Sequence, residues 1–79
     1  MNVVFVLTTT GQELLQMVSN DVAGLLQAVK GEYVTFPFGT YKYDFHTLDH
    51  YLEEDVYRQE LVIYLKEAVA EKGNLDILD

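Results

Sequence analysis

The chain contains no cysteine among its 79 residues. That excludes a disulfide framework, thiolate zinc ligands and a cysteine nucleophile, and it favours a reducing, cytoplasmic setting. There is a single serine, Ser19, remote in sequence from both histidines, so a nucleophile, a base and an orienting group cannot be assembled for acyl transfer. An enzyme is not expected. Long apolar runs are also missing. Met1-Asn2 leads directly into VVFVL, five apolar residues with no basic stretch before them, so neither a secretory signal nor a membrane span is expected.

Proline occurs once and no Ser/Gly/Gln-rich tract is present, while hydrophobic residues make up 49% and charged residues 23%. This is the balance of a folded chain, read as one globular domain over residues 1–79. Its core must be small, because a domain of this length buries only about 60 to 65% of the surface its unfolded chain exposes.

Positive charge is scarce: four lysines and Arg58 stand against thirteen acids, for a net charge of -8. A nucleic-acid backbone would be repelled over most approaches, and direct DNA or RNA binding is not expected. Residues 1–40 hold three acids and one lysine; residues 41–79 hold ten acids and four basic residues. The second half therefore sets the field.

Asn2 to Thr8 is β-branched and aromatic on both alternating faces, which describes a strand covered on both sides. Thr10-Gly11-Gln12-Glu13 fits a capping box, and Leu14, Leu15, Val18, Val22, Leu25, Leu26 and Val29 follow as one stripe of 3.6-residue period, with Lys30-Gly31 as its stop. This predicts a long first helix. A second reading makes ELLQMV a hairpin strand and starts the helix at Ser19 or Asn20, since Ser-Asn-Asp favours local side-chain bonding. Glu32–Phe38 and Tyr41–Phe45 read as strands joined across Gly39-Thr40, with Pro37 marking an edge or an end. Thr47 is the expected cap of a second helix, with Asp49 in its first turn and Gly73-Asn74 as its stop, and Leu75–Leu78 could add a last strand. The expected fold is then α+β, a small ferredoxin-like βαββα(β) sandwich with two helices on one face of an antiparallel sheet. That architecture names no activity.

The segment HTLDHYLEEDVYRQELVIYLKEAVAEKG, residues 46–73, holds seven of the acids and both histidines. His46, His50 and Glu54 have the spacing of metal ligands on successive helical turns, but the cap at Thr47 leaves His46 outside the helix and Arg58 is a ready partner for Glu54. No metal or cofactor is expected. The Thr8–Gly11 loop resembles an anion cradle only loosely, with one glycine and no nearby lysine, and a helix cap explains it fully.

The expected site is a face of the second helix. Asp49, Glu53, Glu60, Glu67 and Glu71 are separated by 4, 7, 7 and 4 residues and align within about 40° on a continuous helix, a ribbon about 33 Å long. No lysine or arginine lies three or four residues from any of them, so helix stability did not select them. Val56, Tyr57, Ile63 and Tyr64 fall on or beside the same side. Aromatic and aliphatic groups between carboxylates suit docking of a basic protein surface. The expected function is a non-catalytic inhibitor or adaptor, in its sharpest form a nucleic-acid mimic of the kind used by small phage or immunity proteins. The alternative is a regulatory or structural homodimer, with or without a small ligand between subunits.

Overall fold

The computed structural model describes residues 1–31 and 33–68. In chain order the elements are β1 (Asn2–Leu7), β2 (Glu13–Val18), α1 (Val22–Gly31), β3 (Tyr33–Phe36), β4 (Gly39–Glu53) and β5 (Val56–Glu67). The strands form one sheet in the order β2-β1-β5-β4-β3. β1 and β5 run parallel, and every other neighbouring pair is antiparallel. No helix among the described residues is long and apolar enough to cross a membrane.

This is not the expected ferredoxin-like sandwich with two helices. Among the described residues a single helix lies on the sheet, and the described part of the segment read as a second helix belongs to the long hairpin of β4 and β5. The physical reason lies in its side chains. Val56, Tyr57, Val62, Ile63 and Tyr64 are β-branched or aromatic residues that lose rotamer freedom in a helix and fit a pleated surface. The like-charge pairs Asp49/Glu53 and Glu67/Glu71 at i, i+4 would have weakened a helix further.

The first helix is also shorter than its apolar stripe suggests. ELLQMV pairs with β1 as strand β2, and the helix begins where Ser-Asn-Asp supplies side-chain acceptors. Asp21 Oδ1 accepts the Gly24 amide at 3.1 Å, and Ser19 Oγ accepts the Asp21 amide at 3.1 Å. Thr10, expected to cap a helix, accepts the Gln12 amide at 3.1 Å inside the β1–β2 loop. That loop closes through the Gly11 amide to Leu7 O at 2.8 Å, with Gly11 at φ 78°. The β3–β4 turn falls on Pro37-Phe38, since Phe36 pairs with Gly39 and Thr40 already belongs to β4. The expected stop at Gly73-Asn74 and the expected last strand at Leu75–Leu78 lie outside the described residues.

Strand alternation divides the sheet into two faces. Val3, Phe5 and Leu7 of β1, Leu61, Ile63 and Leu65 of β5, Tyr41 of β4 and Val29 of α1 form the core cluster. Val22, Leu25 and Leu26 of α1 pack against it. Val4 and Val62 are also buried, but they alternate onto the opposite face, where no helix or strand among the described residues lies. β4 carries a bulge at Asp44, so Tyr43 pairs with Leu65 and Phe45 with Tyr64. The bulge keeps Tyr43 and His46 on one face, with the Tyr43 hydroxyl 2.6 Å from His46 Nδ1.

Candidate functional site

β1 meets β5 only from Glu60 to Leu65. Beyond that point β4 and β5 continue without neighbours, and every residue from Leu48 to Gln59 is exposed. The hairpin thus projects from the sheet as a two-stranded arm, His50–Gln59, and the molecule measures 55 × 25 × 20 Å. A strand of 15 residues at about 3.3 Å per residue accounts for most of that length.

The arm turns at Glu54-Asp55, where Glu53 pairs with Val56 and the two central residues sit at φ 51° and 65°. Positive φ at both positions is the mark of a type I′ hairpin turn, whose twist matches that of the strands. Asp accepts this conformation readily and Glu less so. Cross-strand pairs must hold such a ribbon, because an isolated hairpin is marginal in water. Leu52 faces Tyr57, the Gln59 amide lies 3.2 Å from His50 Nε2, and Arg58 Nε bonds Glu53 Oε1 at 3.2 Å across the diagonal. Both ends of that ion pair are more than half exposed, so it contributes little beyond geometry.

The two faces of the arm differ. On the side continuous with the core lie Leu48, Leu52 and Tyr57, with Leu52 58% and Tyr57 77% exposed. On the other side lie Asp49, Glu53 and Glu60 with Tyr51, Val56 and Arg58. The turn adds Glu54 and Asp55. The arm therefore ends in an apolar pair next to three carboxylates, Glu53, Glu54 and Asp55. A groove of about 660 Å³ is lined by Met1 and Asn2 together with His50, Tyr51 and Glu53 of β4 and Tyr57, Arg58 and Gln59 of β5.

The residues expected to share one helical face are dispersed. Asp49 and Glu60 stand opposite each other at the root of the arm, and Glu53 and Tyr57 lie further out. Ile63 is fully buried in the core. Tyr64 points to the helix-free face, where its ring stacks on Phe45 at 4.4 Å. Glu67 sits at the far end of β5 opposite Tyr41, about 33 Å along the strand from Tyr57. Glu71 lies outside the described residues. His46 and His50, four residues apart in β4, are about 13 Å apart along the strand. Among the described residues no group of three His, Asp or Glu side chains is placed to hold a metal ion.

Leu52, Glu54 and Asp55 were missed as site residues. The signal for them is Leu52-Glu53-Glu54-Asp55-Val56-Tyr57, a two-residue acidic turn between an aliphatic and an aromatic flank.

Compared against protein-family models, curated proteins and solved structures, the chain has no match. Its reading rests on its own geometry.

Proposed function

We propose that this protein is a non-catalytic binding module that engages a basic protein surface through the tip of the β4–β5 arm. The observation that carries the reading is the exposed pair Leu52 and Tyr57, held at the end of a projecting ribbon beside Glu53, Glu54 and Asp55. Exposed apolar groups of this size rimmed by charge favour a recognition role over a solvating one. The carboxylates would steer a cationic partner and the tyrosine would supply contact area at low entropic cost. An inhibitor or adaptor role follows from such a surface, and a cytoplasmic place of action fits a chain without cysteine.

The test compares wild type with Leu52→Ser/Tyr57→Ser and with Glu53→Gln/Glu54→Gln/Asp55→Asn as baits, scored by mass spectrometry at low and high salt. A basic protein retained by the wild type, lost by the first variant and weakened by the second supports the reading. Equal retention by all three baits, or capture of partners without net positive charge, removes it.

A further inference from the structure

The outer edge of β4 is open for most of its length. β3 pairs only with Gly39–Lys42, and from Phe45 to Glu53 no strand among the described residues lies along that edge. The direction of the backbone groups there follows from the turn. In a two-residue hairpin the flanking residues, here Glu53 and Val56, bond each other, and the ladder then alternates. Tyr51, Asp49 and Thr47 therefore direct their amides and carbonyls to β5, whereas Leu52, His50, Leu48 and His46 direct theirs outward. The far side of β5 agrees: the Thr8 amide donates to Leu65 O at 2.8 Å, so the odd-numbered residues of β5 face β1 and the even-numbered ones face β4. Exposed edges usually carry a lysine, a proline or a bulge that blocks a further strand. β4 has its bulge at Asp44, and the run FHTLDHYLE beyond it holds none of these. The arm built on this edge is a two-stranded ribbon, which is marginal by itself in water.

We propose that the β4 edges of two copies of the chain pair antiparallel about a two-fold axis at His50, which joins the two arms into a single sheet in the order β5-β4-β4-β5. Charge and room select the register. With His50 opposite His50, Leu48 lies beside Leu52 of the second copy, Asp49 beside Tyr51 and Thr47 beside Glu53, and symmetry returns each contact. An axis at Asp49 would oppose Asp49 to itself, and an axis at Tyr51 would oppose Asp49 to Glu53 twice. An axis at Leu48 would lay the turn Glu54-Asp55 on Lys42 and Tyr41, where Tyr33 and Val34 of β3 already sit.

The selected register opposes no two carboxylates and brings together Leu48 and Leu52, which are 48% and 58% exposed in the single chain. Leu48, His50 and Leu52 then exchange about six backbone hydrogen bonds across the axis. The pairing rests on the edge of β4 and not on the tip of the arm having a partner. Tyr57, Glu54 and Asp55 lie outside the shared edge and stay accessible in both copies.

The test is sedimentation velocity on the full chain from about 1 to about 200 µM, with four variants. Wild type should form a dimer in this range. His50→Pro removes the outward amide at the axis from each copy while leaving the bonds to β5 in place, and it should weaken the dimer about tenfold or more. His50→Thr keeps that amide and should retain the dimer. Tyr51→Lys sets an ammonium beside Asp49 of the second copy on both sides of the axis and should tighten the dimer about threefold or more. Tyr51→Glu sets a carboxylate there and should weaken it by about as much. A tightening cannot arise from loss of folding. A wild type that stays monomeric throughout overturns the proposal. So does a dimer indifferent to His50→Pro, an equal loss in His50→Thr, or a response of the same sign from the two Tyr51 variants.

Discussion

Asp49 and Glu60 face each other directly across the β4–β5 ladder, with no basic side chain on a neighbouring position of the same strand pair closer than Arg58. Directly opposed like charges destabilise a strand pair, so Glu60→Gln should raise the stability of the dilute chain by up to about 1 kcal/mol. Urea denaturation at the lowest workable concentration checks this. A loss of stability would mean that the two carboxylates have a favourable partner within one molecule.

The Glu54-Asp55 turn holds two residues with side chains at positive φ. Glu54→Asn/Asp55→Gly supplies the pair that this turn type prefers, and it should stabilise the hairpin by about 1 to 2 kcal/mol. Slower amide exchange from Leu52 to Tyr57 is the expected readout. Unchanged exchange would show that the turn does not limit the arm.

Ile63 and Tyr57 lie on the same face of β5 but at opposite ends of the burial scale. Ile63→Ala should cost about 2 to 5 kcal/mol through the cavity it leaves. Tyr57→Ser should stay within about 0.5 kcal/mol, because its ring contacts mainly solvent. Thermal denaturation of the two variants side by side separates a strand from the outward-facing helix that would expose Ile63.

Gly11 closes the β1–β2 loop at φ 78° with open space where a Cβ would lie. Gly11→Ala should therefore cost about 1 to 2 kcal/mol from backbone conformation alone. Gly11→Asn, which tolerates this region better, should recover part of the loss.

How much of this was legible in the sequence follows from how many periodicities each segment satisfies. β1 was clear because five consecutive apolar residues, Val3 to Leu7, leave no polar face for a helix to expose. The stop of α1 at Lys30-Gly31 was clear from its chemistry. The segment 13–18 satisfied a helical stripe and a strand equally, and the local bonding of Ser19 and Asp21 decided it. The long hairpin was misread because spacings of 4 and 7 place Asp49, Glu53, Glu60 and Glu67 on one helical line by coincidence. Leu61-Val62-Ile63-Tyr64-Leu65 has the same apolar-on-both-faces character that identified β1, and weighing it in the same way would have revealed β5. The mixed surface of carboxylates and tyrosines was legible as composition. Its division into an arm and a separate sheet face was not, because face membership depends on a two-residue turn and a one-residue bulge.

The parallel contact of β1 with β5 also imposes an order on synthesis. β1 leaves the ribosome well before β5, and until Leu61, Ile63 and Leu65 emerge, Val3 and Phe5 have β2 and α1 for company but no central neighbour. Contacts this distant in sequence close slowly. During translation the nascent chain therefore carries an unfilled slot in the middle of its sheet, and that interval is when it is most exposed to chaperones and to pairing with the wrong strand.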